Sequence, residues 1–515
     1  MKRAQPHAAL GAEDEPLVFE RSRPGRRAGR MPVLDVPPAP ADAIPEGLRR
    51  VTAPRLPEVA ERDLVTHYTR LSHRNFGIDL GFYPLGSCSM KYNPKLAEDA
   101  AALPGFRRLH PLQPESQTQG VLQMLVELEQ TLCALTGMDA VTFQPAAGAH
   151  GELTGLLIMR AHHESRGDAR RRVIIPDSAH GMNPASVTFA GYEVATVPST
   201  TSGEVDVDAL RGMVSDDVAG LMITNPNTVG LFETRITEIA SIIHDAGGLL
   251  YYDGANLNAI LGHCRPGDMG FDIVHMNLHK TFATPHGGGG PGAGPLAVSS
   301  RLASFLPAPR PVRRDDGSYG LDLGDGNSIG RVHSFLGNVG ILVRASSYAR
   351  ALGREGLKSV SEHAVLNANY LSHRLRGAYD LAYPGRPMHE FVLTARKQKA
   401  RGARAMDVAK RVIDYGFHPP TVYFPLIVDE AMMCEPTETE SVETLDAFAD
   451  AMLAIDAEID SDPDLLHDAP QTAPIRRPDE ARAARDLRAR WYPPNDHTPH
   501  PSASSLAGPE DKPSI

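Results

Sequence analysis

Apolar residues return at helical spacing from Gln119 to Gly137, at Val121, Leu122, Leu125, Leu128, Leu132 and Leu135, and Gly137 supplies a C-terminal stop. The period then changes. Short apolar runs at Ala140 to Phe143, Arg172 to Ile175, Val218 to Thr224, Gly248 to Asp253 and Asp272 to Met276 predict strands, and Glu152 to His163 and Glu233 to Asp245 predict helices among them. Alternating strands and helices imply an α/β large domain whose mostly parallel sheet is covered on both faces. Ligands of such sheets sit at the carboxyl ends of the strands. Past Ser300 the pattern shifts again: a long helix over Gly340 to Asn369, a proline-marked turn and strand over Tyr383 to Ala395, and an amphipathic helix over Arg404 to Tyr415. A strand over Thr421 to Val428 and a helix over Glu440 to Ile459 complete a smaller C-terminal α+β domain.

The two ends read differently. Residues 1–57 are rich in proline, arginine and acidic residues, and predict an extended arm that wraps a partner subunit. Glu13, Asp14, Glu15 and Glu20 among its arginines argue against a transit peptide. Glu58 to Arg74 predicts a helix, and Gly81 to Pro94 (GFYPLGSCSMKYNP) a loop packed against something, because a free linker has no need of Phe82, Tyr83 and Met90. The expected division is thus an arm at 1–57, a large domain at 58–340, a linking helix and small domain at 341–460, and a proline-rich tail at 461–515. That tail holds one charged helical candidate, Asp479 to Trp491, and is expected to be an arm or disordered.

Composition narrows the partners. Lys plus Arg number 52 against 63 Asp plus Glu, a net charge of -11, which disfavours nucleic acid and anionic membranes. The four cysteines, Cys88, Cys133, Cys264 and Cys434, are scattered without CxxC spacing, as expected of a reduced cytoplasmic protein with neither disulfide framework nor zinc ribbon. No apolar run approaches the roughly 20 residues of a membrane-spanning helix, and no hydrophobic signal core opens the chain.

Candidate chemistry gathers where strands end. Lys280 follows one strand in HMNLHKTFATPHGGGG, and Asp253 ends another in GLLYYD. A carboxylate and an amine converging on one ligand is the arrangement that pyridoxal phosphate needs: the carboxylate holds the pyridinium nitrogen and the lysine forms the Schiff base. QPAAGAHGE (Gln144 to Glu152) lies between a strand and a helix, so the small residues Ala146, Ala147, Gly148 and Ala149 can bring backbone N–H groups to a phosphate. His150 closes that turn, placed to lie flat on an aromatic cofactor. Asn225 to Thr228 reads either as polar groups for the ring hydroxyl or substrate, or as an ordinary turn. His180, in DSAHGMNP, leans toward function. Gly287 to Gly290 lack both the P-loop and the GxGxxG spacing and are expected only to let the chain fold tightly beside Lys280. Cys88 reads as a buried, inert thiol. His162, His163 and Glu164 are consecutive, face different ways and predict a solvated helix face, so no metal site is expected.

Together these motifs resemble the pyridoxal-phosphate subunit of the glycine cleavage system, the P-protein family of glycine dehydrogenases (decarboxylating). The matching stretches are FERSRPGRR, YPLGSCSMKYNP, QPAAGAHGEL, DSAHGMNPAS, TNPNTVGLFE, YYDGANLNAI, NLHKTF, SIGRVHSFLGNVGILVRA, VLNANYL and EPTETES, spanning about Glu15 to Ile459. Ser89 departs from the threonine expected there. The resemblance implies a fold-type I pyridoxal-phosphate-dependent transferase fold of the aspartate aminotransferase kind. It also implies subunit 2 of the split form, working with a subunit 1 partner in an α2β2 heterotetramer and with lipoylated H-protein. The implied reaction is decarboxylation of glycine with transfer of the aminomethyl group to the lipoyl arm. Catalytic roles fall on Lys280, His150 and His180, and cofactor contacts on Lys280, Ala147, Gly148, Ala149, His150, Thr228, Asp253, Ala255, Asn256 and His279. Another fold-type I enzyme, an aldolase or amino-acid decarboxylase, shares Lys280, Asp253 and the phosphate turn; a non-catalytic assembly partner that kept the fold is the third reading.

Overall fold

Leu249, Leu250, Tyr251 and Tyr252 are apolar at every position because both faces of their strand are buried. Successive side chains of a strand point to opposite faces. Leu249 and Tyr251 therefore enter one core, with Leu156, Ile158 and Met159 of the helix Gly148–Ser165. Leu250 and Tyr252 enter the other, with Leu122, Leu125, Leu128 and Leu132 of the helix Glu115–Thr136 and Ile239 and Ile243 of the helix Ile236–Asp245. In the computed structural model, which describes residues 15–487 apart from 30, 41, 53, 55, 111 and 287–291, this strand is central to a seven-stranded sheet.

The strands of that sheet are β1 (Ala140–Thr142), β2 (Arg172–Pro176), β3 (Glu193–Val197), β4 (Val218–Thr224), β5 (Leu249–Gly254), β6 (Ile273–Met276) and β7 (Leu296–Val298), in the order β1-β7-β6-β5-β4-β2-β3. β7 alone runs antiparallel, to both β6 and β1, so β1 points the same way as the other five. Their carboxyl ends consequently share one edge. Register sets Asp253 of β5 between Thr224 of β4 and His275 of β6.

The linking helix is longer than expected, Val339–Leu375, with a break at Gly353 (φ 60°, ψ -171°). Its first part packs Ile341, Leu342 and Tyr348 into the large-domain core and its last part packs Leu371 and Leu375 into the small domain. A hairpin of β8 (Arg310–Arg313) and β9 (Tyr319–Asp322) precedes it. The small domain is an antiparallel sheet of β10 (Asp380–Leu381), β11 (Phe391–Thr394), β12 (Thr421–Val422) and β13 (Ala431–Cys434), in the order β10-β11-β13-β12. Helices Ala405–Asp414 and Val442–Ser461 cover it.

Three expectations need correction. The strand expected over Thr421 to Val428 stops at Val422, where Tyr423 takes φ 56° and Pro425 has no N–H to donate; β13, too short to show a period, had no forecast. The segment after Ser461 is no free arm at its start: Leu466 is buried in the small-domain core, and Arg477 donates to the Leu466 and Ala469 carbonyls and to Asp407. His163 is not solvated, being buried with Nε2 2.9 Å from the Ala219 carbonyl oxygen. The helix expected over Asp479 to Trp491 is present as Glu480–Arg485, and residues 488–491 lie outside the described residues. At the other end, Glu15 is held by Arg21, His67 and Arg70, which folds the chain back onto the helix Glu61–Ser72.

The helix Gly148–Ser165 lies close to the sheet because Gly155 has no side chain: a Cβ there would overlap the Tyr251 ring and come within 2.9 Å of Ile273 Cγ2. Gly155→Ala is expected to lower unfolding stability by about 1–3 kcal/mol through overpacking. Thermal or urea denaturation measures it, and an unchanged midpoint would contradict this packing.

Candidate active site

The sheet edge brings the expected residues together. Asp253 is the penultimate residue of β5, the short helix Leu278–Thr281 lifts Lys280 just beyond β6, and the turn after β1 leads into the helix that starts at Gly148. His180 follows β2 and Thr228 follows β4. Lys280 is half-buried, and its Nζ donates to the Ser87 carbonyl oxygen (2.8 Å). Asp253, His180, His279, His286 and Cys88 all lie close enough to Lys280 to feel its positive charge.

Asp253 is buried, and an uncompensated carboxylate there would be costly. Burial pushes its carboxyl up, but His275, the Asn183 amide, the Ala255 N–H and Lys280 outweigh that and hold it below the usual range. Oδ1 accepts from the Ala255 N–H (3.0 Å) and lies 3.2 Å from His275 Nε2, and Oδ2 accepts from Asn183 Nδ2 (2.9 Å). A carboxylate has about four acceptor positions, so Oδ2 retains one for a further N–H. Behind it, Asn183 Nδ2 and Ser186 Oγ both donate to Glu152 Oε2 (3.2 and 2.9 Å), and His275 Nδ1 lies 3.1 Å from Tyr251 OH, which donates to the Gly151 carbonyl oxygen. Burial and the neighbouring Asp253 charge push the Glu152 carboxyl above the usual range.

The turn before the helix Gly148–Ser165 has an extended Ala147 at its N-cap and no capping side chain, so the first-turn amides are available to an anion. Gly148 is required by close approach: a Cβ would sit 2.5 Å from Asn277 Nδ2. His150 is half-buried, with Nδ1 accepting from the Ala146 N–H (3.2 Å), and burial followed by His333 lowers its proton affinity. Burial followed by Lys280 lowers that of His180, whose Nδ1 accepts from the Met182 N–H (3.2 Å). Burial, His286 and Lys280 take His279 down to about 3. Six buried polar atoms near these residues have no partner among the described residues: Asn183 Oδ1, Asn277 Oδ1, His279 Nδ1, Thr281 Oγ1, Thr284 Oγ1 and His286 Nε2. A polar cofactor at this edge fits that donor and acceptor set.

Other expected residues are committed elsewhere. The Ala255 amide is spent on Asp253, and Asn256 Nδ2 donates to the Pro226 carbonyl oxygen and to Glu390 Oε1 (3.0 and 3.2 Å). Of the two readings of Asn225 to Thr228, the turn explains both asparagines. Asn225 Oδ1 accepts from the Glu233 N–H, and Asn227 Oδ1 from the Val229 and Leu231 N–H groups. Thr228 is buried beside them. Cys88 is half-buried where a buried thiol was expected, and burial raises its thiol while Lys280 works against it. Gly287 to Gly290 lie outside the described residues.

Glu152, Asn183, His275, Lys91, Glu390, Glu435 and Glu438 were not anticipated. Lys91 is buried, with Nζ donating to the Thr281 carbonyl oxygen, Asn258 Oδ1 and Glu438 Oε1 (2.8, 2.8 and 2.7 Å). Burial opposes its charge, but Glu438 and Tyr348 outweigh that and keep it above the ordinary lysine value. The signal available for these residues is a polar residue set against an apolar run, as in HEFVLTA and AMMCEPT.

The architecture is that of the fold-type I pyridoxal-phosphate-dependent enzymes. A cysteine desulfurase from Escherichia coli shares it at TM-score 0.57 and 12% identity over 73% of this chain and 95% of that one. A solved glycine decarboxylase (P-protein) of the glycine cleavage system, in inhibitor-bound form, shares it at TM-score 0.68 and 22% identity over 80% and 93%. Residues 39–310 match the family "Glycine cleavage system P-protein", and residues 360–472 match "Glycine dehydrogenase, C-terminal domain". A probable glycine dehydrogenase (decarboxylating) subunit 2 of Caldanaerobacter subterraneus subsp. tengcongensis is 57% identical over 92% of this chain and 98% of its own. The chain therefore belongs to the glycine cleavage system P-protein family.

Glu152 supplies a test of the network behind Asp253. A carboxyl whose proton affinity is raised by folding costs the folded state more as pH climbs above the unfolded value of about 4.3. Glu152→Gln keeps an oxygen for Asn183 and Ser186 and removes that cost. The variant's stability relative to the parent chain is expected to rise between about pH 4 and pH 8 in urea unfolding; a gap independent of pH would contradict the assignment.

Proposed function

We propose that this chain is the cofactor-bearing half of a glycine decarboxylase. In this reading it holds pyridoxal phosphate at Lys280, releases CO2 from glycine and passes the aminomethyl group to the lipoyl arm of H-protein, in an assembly with a subunit 1. The single observation that carries the reading is the Asp253 carboxylate, kept ionised in a buried network with one acceptor position to spare, on the same strand edge as Lys280. The relatives' names supply the substrate.

When bound, pyridoxal phosphate supplies a protonated pyridine ring that accepts the electron pair left as CO2 departs. Asp253 would take the pyridine N–H on Oδ2 and keep that proton in place. The uncapped amides at Gly148, Ala149 and His150 would hold the phosphate, with Ala147 setting the turn. The dipole supplies about 0.3–2 kcal/mol of that grip. His150, neutral at physiological pH, would stack on the ring, and Thr228 would face the ring hydroxyl. Ala255 serves by fixing Asp253, Asn256 by joining the Pro226 turn to the small domain, and His279 by packing edge-on against His286 (ring centroids 5.0 Å apart) beside Lys280. Lys280 Nζ would hold the cofactor's aldehyde carbon and, once glycine displaces it, move protons near the substrate carbon. His180 presents its remaining nitrogen for orienting glycine.

The test is exchange of labelled CO2 into the carboxyl group of glycine by the chain assembled with subunit 1 and lipoylated H-protein. Exchange is expected from the natural chain, with Lys280→Ala reducing it by at least about 10²-fold. No exchange from a fully assembled complex would overturn the reading.

A further inference from the structure

The carbonyl that holds Lys280 belongs to a turn with two left-handed, non-glycine residues, Ser87 (φ 64°) and Ser89 (φ 43°). Such conformations persist only where surrounding structure enforces them. Here the enforcing groups are two buried carboxylates of the small domain. The Ser87 N–H donates to Glu390 Oε2 (2.8 Å), the Ser89 N–H donates to Glu435 Oε2 (2.9 Å), and Ser89 Oγ donates to Glu435 Oε1. Glu390 immediately precedes β11 and Glu435 immediately follows β13. Both are fully buried, and His389 lies between them with Nε2 4.0 Å from Glu390 Oε1 and 3.8 Å from Glu435 Oε1. The same turn is stitched to β13 by the Gly86 N–H donating to the Met433 carbonyl oxygen (3.3 Å) and the Glu435 N–H donating to that of Pro84 (3.2 Å).

Ordinary stability does not explain this arrangement. Two carboxylates, together with a histidine that has no hydrogen-bond partner among the described residues, are costly to bury, and apolar residues would hold the two strands with less penalty. What the carboxylates accomplish is specific: Glu390 takes the main-chain N–H before Cys88 and Glu435 the one after it, and together they fix the direction of the Ser87 carbonyl.

We propose that Glu390 and Glu435 are positioning residues for Lys280, locking the Ser87–Ser89 turn so that its carbonyl favours the protonated form of the Lys280 nitrogen. This rests on the reading that Lys280 carries the cofactor. The charged and titratable groups whose fields overlap that of Lys280 are Asp253 on β5, His180, His279 and His286 in the large domain, Cys88 in the turn itself, and His389 and Glu390 in the small domain. Burial followed by the neighbouring Glu435 pushes the Glu390 carboxyl well above its usual range. Glu435 accepts from both the Ser89 N–H and the Ser89 hydroxyl, where Glu390 takes a single N–H of the turn, so Glu435 is the member whose loss is felt most.

The experiment is a pH titration of the visible absorbance of the cofactor-loaded protein, for the natural chain, Glu435→Gln, Glu390→Gln and Ser89→Ala. The midpoint is expected to fall by about one pH unit, tenfold in proton affinity, in Glu435→Gln. Smaller falls are expected in Glu390→Gln and in Ser89→Ala, which leaves both carboxylates in place. Should a glutamine variant fail to fold, Ser89→Ala decides the matter by the same criterion. Folded variants that keep the natural midpoint would overturn the proposal and leave the pair a structural role only. A natural chain with no visible band would instead overturn the cofactor reading on which the proposal stands.

Discussion

A buried carboxylate that must remain ionised constrains this structure more than any other group. Asp253 sits between two neighbouring strands in the middle of a large sheet, where desolvation alone would neutralise it. Holding the charge takes an imidazole from the next strand, an amide from the helix after β2 and the N–H of Ala255. Those three donors in turn fix what surrounds them: His275 leans on Tyr251, Asn183 leans on Glu152, and Glu152 sits in the helix whose first turn faces the same edge. The turn at Ala147–His150 and the carboxylate are thus parts of one hydrogen-bonded unit.

The second constraint comes from the small domain. Its sheet supports the segment before Lys91, and Lys91 reaches the carbonyl of Thr281, the residue after Lys280. The lysine turn is held from below by the large sheet and from the side by a loop that belongs structurally to the other domain. A displacement of the small domain has a direct covalent and hydrogen-bonded route to Lys280 that needs no long chain of contacts.

These two constraints differ in how far the sequence reveals them. Lys280, Asp253 and the Ala147–His150 turn lie in compact stretches at strand ends, where small residues and a lone charge after an apolar run have a local meaning. The alternating large domain was legible for the same reason. Glu390 and Glu435 lie 303 and 346 positions from the serines they hold, and no local pattern joins them to the loop. His275 reads as an ordinary strand residue until the register puts it beside Asp253, and Asn183 carries no signal of its own until the fold brings its amide to that carboxylate. β13 was missed because four residues carry no period, and the solvated face expected at His162 to Glu164 failed because His163 turns inward to the Ala219 carbonyl.

The claim on which the rest depends is that Lys280 holds the cofactor. Borohydride reduction of the cofactor-loaded protein, followed by digestion and mass spectrometry, addresses it directly. The reduced pyridoxal phosphate mass is expected on the peptide containing Lys280, and its appearance on another lysine, or on none, would contradict the account.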